Sequence, residues 1–222
     1  MIFMKRKAKT QRNYRKKPAD IYAVASAGRG LGATHLAVSV LSFLSSVKML
    51  RCALVELSGH GEIKGLLNED EASEQTAIIS GPVCGFTYLG ADYFPDAKKS
   101  DLPFIKALDH EAVVLDLGLI TGTDALETAR DIARDRLFIT GSVSPWRYQE
   151  YRELMRCIIN ERPWLLESGI STFSAAPPDI DRFKREFSIR LRMIPYIKDP
   201  FCLSNADIEA ISAFLGENKS SF

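Results

Sequence analysis

Long hydrophobic runs are missing from this chain. No stretch approaches the ~20 consecutive apolar residues of a membrane-spanning helix, and the opening Met1, Ile2 and Phe3 are too few for the apolar core of a signal peptide. The expectation is a cytoplasmic protein. Cysteine is scarce and scattered: Cys52, Cys84, Cys157 and Cys202 form no CxxC pair and no spacing with histidine. Neither a structural metal site nor a disulfide framework is indicated, and buried thiols are expected instead. Internal repeats and low-complexity blocks are absent as well.

Net charge is also nearly absent, at +1 from 29 basic and 28 acidic residues, but the balance hides an asymmetry. Lys5, Arg6, Lys7, Lys9, Arg12, Arg15, Lys16 and Lys17 stand together with no acidic residue among them, which leaves the remainder mildly acidic. Such an arm, residues 5–17, either contacts an anionic surface, DNA or membrane, through counterion release and surface potential, or is a solvated tail. Residues 1–19 are read as this basic, disordered arm and residues 20–222 as one globular unit. The chain is 222 residues long with 46% hydrophobic and 26% charged residues, enough for a substantial core.

Short β-rich runs alternate with helical stretches, the pattern of an α/β protein with a mostly parallel central sheet of about seven strands and helices on both faces. Strands are predicted at residues 21–26, 52–57, 86–91, 112–118, 136–143, 170–175 and 191–197. Several are continuous apolar runs, as expected for strands covered on both faces. A helix after the first strand carries Leu36, Val40, Phe43, Leu44 and Val47 on one stripe. Further helices are predicted at 61–68, 123–133, 147–161, 179–187 and 205–215, and residues 68–75 read as an acidic, exposed loop.

Between the first strand and its helix stands AGRGLGATH, residues 27–35. Strand, glycine-rich turn and helix form the context of a phosphate-binding loop, in which backbone N–H groups cradle phosphate, a lysine reaches its outer oxygens and a hydroxyl meets Mg²⁺. Gly28, Gly30 and Gly32 permit positive φ and close backbone approach, and a helix starting near Ala33 aims its N–H groups and dipole at an anion. The candidate nucleotide contacts therefore run from Gly28 through Arg29, Gly30, Leu31, Gly32, Ala33 and Thr34 to His35. Thr34 sits where a Mg²⁺-binding hydroxyl belongs. The alternative is that the glycines make only a tight turn and Thr34 caps the helix.

Together with the acidic strand ends at Glu56 in VELSGHG (55–61) and Asp116 in HEAVVLDLG (110–118), the loop resembles that of the MinD/ParA group of P-loop ATPases. That group is part of the SIMIBI class and includes TadZ/CpaE-like pilus-localisation proteins. The resemblance covers residues from about 20 to 215 in order. It places the group's signature lysine at Gly28, its phosphate-binding lysine at Ala33, its Mg²⁺ ligand at Thr34 and a second hydroxyl at His35, so both lysines are missing. It makes Asp116 the residue that holds Mg²⁺ through water, with Gly118 near the γ-phosphate. Glu56 takes the first acidic position of the second strand, and Ser58 replaces the second, an aspartate that helps place water and metal. The closing segment 194–201 resembles the group's IPxD stretch, and Ser174 stands where relatives often carry an adenine-reading asparagine.

The catalytic candidates are Glu56 and Asp116, and the metal candidates are Thr34 and Asp116. The cofactor implied is ATP or ADP with Mg²⁺, with no structural metal. Partners implied are a second copy of the chain and a protein of a localisation, secretion or pilus system, with peripheral attachment at membrane or nucleoid. Loss of the loop lysine removes a charge-assisted hydrogen bond of about 1.5–3 kcal/mol, a roughly ten- to hundredfold weaker grip. Hydrolysis suffers more, because phosphoryl transfer depends on positioned cations.

Two functions follow. One is a catalytically impaired nucleotide-binding or localisation module. The other is an active ATPase with a rearranged site built on Arg29, Thr34 and Asp116, working as a dimer or with a partner. His35 is expected to be a neutral packing or capping residue, since the helix dipole disfavours its charge. Residues 207–222 lack the basic face of a membrane-targeting helix and are expected to pack on the sheet.

Overall fold

The computed structural model describes residues 18–66, 77–79, 81–120, 136–161, 163, 169–173 and 175–216. Most of the basic arm, the acidic loop at 68–75, the helix expected at 123–133 and Ser174 lie outside these residues.

The first strand, β1 (Asp20–Ser26), runs into the glycine loop and then α1 (Ala33–Ser42), which continues as a π-helical turn over Phe43–Val47. Next come β2 (Cys52–Glu56), a 3₁₀ turn at Glu62–Leu66, β3 (Ala77–Ile79), β4 (Gly85–Tyr88) and β5 (Ala91–Phe94). A short α2 (Leu102–Ala107) leads to β6 (Ala112–Leu119), followed by β7 (Leu137–Gly141), α3 (Tyr148–Glu161), β8 (Gly169–Thr172), α4 (Pro177–Phe187), β9 (Arg192–Met193) and α5 (Asn205–Leu215).

All nine strands of the described residues join one sheet in the order β3-β4-β5-β2-β6-β1-β7-β8-β9. Seven of them, from β5 to β9, are mutually parallel, and β3 and β4 extend the sheet antiparallel. The expectation of a mostly parallel α/β sheet holds, with two corrections. The run 86–91 is not one strand but the first arm and turn of the β4–β5 hairpin, in which Leu89 and Gly90 both take positive φ. The run 191–197 supplies only the two-residue edge strand β9, because Pro195 has no N–H to continue the ladder. Of the helix expected at 61–68, the described part forms a 3₁₀ turn at Glu62–Leu66 rather than an α-helix, and residues 67 and 68 lie outside the described residues.

Burial follows the strand period of two. Ala23 and Ala25 of β1 join a core layer with Leu102 and Ile105 of α2, Tyr151, Met155 and Ile158 of α3 and Phe183 of α4. Tyr22 and Val24 face the opposite layer with Leu36, Val40 and Leu44 of the α1 region and Ile211 and Phe214 of α5. Phe214 packs its ring at a tilt against Phe138 of β7, with centroids 5.0 Å apart, so the C-terminal helix packs on the sheet as expected.

From β1 the chain crosses to strands on both sides: β6, β2 and β5 on one, β7, β8 and β9 on the other. In open parallel sheets that reversal opens a crevice at the carboxyl ends of the strands, and ligands bind there. The glycine loop sits at this end.

Candidate functional site

The loop is anchored at its root on both sides. Ala27 N–H donates to Thr140 O of β7 at 2.8 Å, while Ser26 O accepts from Ile120 N–H beyond β6 at 2.8 Å. The Ser26 hydroxyl donates to Gly28 O at 2.6 Å and closes the first turn. Gly30 and Gly32 have φ of 70° and 66°, a left-handed backbone that fits glycine. Gly32 is the N-cap of α1, with no side chain capping the helix and no acidic residue in its first turn. First-turn N–H groups have no intrahelical acceptor, so the helix start is chemically suited to an anion.

This loop forms one wall of a cavity of about 450 Å³. All eight expected contacts, Gly28 to His35, line it. The opposite wall comes from the segment after β2, through Ser58, His60 and Glu62, and from the end of β6, through Gly118 and Leu119. Gly118 (φ 62°) has no room for a side chain, since a Cβ there would lie 2.6 Å from that of Ser58.

Thr34 and Asp116 come together as expected: the Thr34 hydroxyl donates to Asp116 Oδ2 at 2.6 Å, and Gly118 N–H donates to Oδ1 at 3.0 Å. Asp116 is fully buried behind Thr34 and reaches the cavity through that hydroxyl. Glu56 is its register partner on β2, so two buried carboxylates stand abreast at neighbouring strand ends. Burial raises the Asp116 carboxyl above its ordinary range; hydrogen bonds from Thr34 and Gly118 act against this, and the charges of Glu56 and Glu62 add to it. The floor of the site is therefore carboxylate-rich and short of positive charge.

Glu56 does not face the loop as a free catalytic group. It accepts from the Ser58 hydroxyl at 3.1 Å, Glu62 N–H at 2.9 Å and Asp96 N–H at 3.4 Å, and so shapes the segment that follows its own strand. His35 reaches Ile197 O with Nε2 at 2.8 Å, which ties α1 to the C-terminal segment. Its side chain is a packing tether, and only its surroundings at the helix start belong to the site.

At the two lysine positions the structure offers no substitute. Ala33 carries only a methyl group. At Gly28 a Cβ would lie 2.8 Å from Glu150 Oε2 in the first turn of α3, so a carboxylate occupies the space from which a longer side chain would leave. Arg29 lines the cavity, is exposed, and has no ion-pair partner among the described residues.

Three contributors were not singled out by the sequence. Glu150 and Phe173, whose ring tip would meet a Cβ on Gly32 at 2.7 Å, arrive from distant elements and leave no local signal. His60 was within reach, since it stands in the glycine-flanked turn after Glu56.

Oxygen donors at Thr34 and Asp116, with excess negative charge, fit a hard divalent cation such as Mg²⁺, and the glycine loop fits a phosphate. The described residues hold no group of three or more His, Cys, Asp or Glu arranged for a structural metal. No helix among them is long and apolar enough to cross a membrane.

Strand order, loop and the Thr34–Asp116 contact give this chain the α/β fold of the ParA/MinD-like P-loop ATPases. No family model and no curated protein matches its sequence. Solved structures do match. A ParA family ATPase from Chlorobium tepidum TLS has a TM-score of 0.55 at 14% identity, covering 92% of this chain and 93% of its own. The MinC:MinD cell division complex of Aquifex aeolicus gives 0.58 at 14%, over 90% and 97%. Cobyrinic acid a,c-diamide synthase from Mycobacterium smegmatis, with bound ADP and magnesium, gives 0.54 at 14%, over 89% and 93%.

Proposed function

We propose that this chain is a nucleotide-binding module that holds ATP or ADP with Mg²⁺ and turns it over slowly or not at all, acting through what it binds rather than through catalysis. The observation that carries the reading is the pairing of Thr34 with Asp116 at the mouth of a glycine loop that has no lysine at Ala33 or Gly28. The metal-holding half of the site is kept, while the fixed cations that stabilise a transferring phosphoryl group are not. When bound, Mg²⁺ would supply the positive charge that the floor lacks. Backbone N–H groups of the loop would orient the phosphates, Thr34 and Asp116 would hold the cation, and Gly118 would admit the outer phosphate beside Ser58.

A localisation or scaffold role is supported by the surface beside the site. Trp146 is 83% exposed on the turn that precedes α3, the helix whose Glu150 stands against Gly28. An aromatic of that size in the open suits a protein contact, whether a second copy or a protein of a localisation, secretion or pilus system. The basic residues 5–17 add a second attachment, to DNA or membrane; deleting residues 1–17 and finding unchanged binding to DNA and to anionic vesicles would remove that part of the reading. Phosphate release from Mg²⁺·ATP tests the main claim, which a steady turnover of about 1 s⁻¹ or more, within the ordinary enzymatic range, would refute.

Arg29, which lines the cavity and has no ion-pair partner among the described residues, favours one alternative, an ATPase that uses this guanidinium in place of lysine, in a dimer or with a partner. Arginine suits bidentate contact with phosphate. On that reading Arg29→Ala abolishes any measured turnover, and an unchanged rate refutes it.

A further inference from the structure

We infer that the groove between β9 and α5 is a docking site for an amphipathic helix of a partner protein, one whose apolar stripe is flanked by acidic residues. The groove has a volume of about 1020 Å³ and lies at the sheet edge opposite the β3–β4 end. It shares no lining residue with the glycine-loop cavity, so its role does not depend on what that cavity holds. One wall is the segment that carries β9. Leu191 and Ile194 anchor it in the two core layers, while Met193 is 45% exposed and Tyr196, next after the lining Pro195, is 88% exposed. The facing wall is α5, which contributes Ala210, Ala213 and its C-cap Gly216. Small residues at a spacing of three let a second helix axis approach closely.

Backbone geometry selects a helix over a strand as the occupant. Ile194 N–H donates to Thr172 O at 2.8 Å in the β8–β9 register, so Arg192 and Ile194 turn their backbone groups toward β8. Met193 alone turns N–H and C=O to the open edge, and Pro195 brings no N–H. One residue of free edge does not hold an extended segment, whereas a groove lined by side chains holds the apolar face of a helix.

Charge selects the flanks of that helix. Arg190 and Arg192 are the only charged residues among the described lining, both are exposed, and neither has an ion-pair partner among the described residues. Arg192 Nη1 donates to Phe214 O at 3.3 Å, which ties the last turn of α5 to β9. Lys184 and Arg185 stand in the last turn of α4, just ahead of the lining Phe187, while Glu186 is taken up by Tyr148, Arg152 and Arg156 of α3. The rim is thus positive and complements acidic groups. A second copy is disfavoured, because a two-fold contact sets the same patch against itself and brings the arginines of both copies together.

The test uses the full chain and a displayed library of helical peptides about 20 residues long, with leucines at three- and four-residue spacing and Glu, Gln or Lys varied at the flanking positions. Selection should enrich Glu over Lys. By fluorescence anisotropy the best Glu peptide should bind Arg190→Glu about fivefold more weakly, the upper end for an exposed ion pair. It should bind Ala213→Glu roughly tenfold more weakly or worse, because a long acidic side chain both fills the small strip and repels the peptide. Both substituted positions are exposed, and an unchanged Tm verifies that each variant is folded. Enrichment of Lys, no enrichment, or binding indifferent to Ala213→Glu overturns the proposal. So does evidence for either rival occupant: self-association in sedimentation that Ala213→Glu removes, or duplex DNA that displaces the selected peptide.

Discussion

Asp116 is a buried carboxylate beside two others, compensated by a hydroxyl and one backbone N–H. Because its folded-state pKa lies above the unfolded value of 3.8, ionisation costs stability. The penalty is complete above the folded pKa, fades as pH falls through it, and is gone below the unfolded value. Asp116→Asn keeps a partner for Thr34 and for Gly118 while removing the charge. Thermal unfolding of the nucleotide-free protein should therefore show a higher Tm for Asp116→Asn near neutral pH, and the difference should shrink toward pH 4; a lower Tm at neutral pH would contradict this account of the carboxylates. Ala33→Lys is the complementary change, returning a cation to the loop. Its expected effect is roughly ten- to hundredfold tighter binding of Mg²⁺·ATP in an equilibrium titration, and unchanged affinity would place the phosphates elsewhere. At this scale the sequence was informative about Thr34, a hydroxyl in the first turn of α1, and Asp116, an acid in an otherwise apolar β6, which the structure joins by a hydrogen bond. It was silent on Glu150, because its approach to Gly28 is made by tertiary packing of α3 and not by local spacing. Glu56 was legible as an acid at a strand end, but not as an acceptor consumed by its own loop.

Among the elements, the glycine loop is braced from β8, since Phe173 follows that strand and its ring tip fills the space above Gly32. Gly32→Ala combines a left-handed backbone with this clash and should cost about 1–3 kcal/mol by denaturant unfolding. In a Phe173→Leu background the same substitution should cost measurably less, and additive costs would show that the ring does not brace the loop. Strands β1, β2, β6, β7 and β8 could be read from the sequence because central parallel strands are apolar on both faces. The β4–β5 hairpin could not, because its turn places Leu89, a residue that rarely takes positive φ, ahead of Gly90. Helix α2 spans six residues, too few to show a helical period.

For the whole molecule, a ligand that binds the folded state alone raises its stability by mass action, about 2.7 kcal/mol at a hundredfold excess over Kd. Mg²⁺·ADP should therefore raise Tm, and chelating the metal should remove most of the gain, since a site floored by carboxylates repels an uncompensated phosphate. A gain that survives chelation would contradict the role given to Thr34 and Asp116. The fold of the chain is ParA/MinD-like, and Gly28 and Ala33 stand where the resemblance of the loop puts lysines. The most direct measurement is a calorimetric titration of Mg²⁺·ATP into the full chain. Each injection should give a saturable binding heat that returns to baseline, as binding without turnover requires. A sustained heat rate after injection would reveal an active ATPase, and no binding heat at all would reveal a fold that has lost its nucleotide; either result contradicts the account.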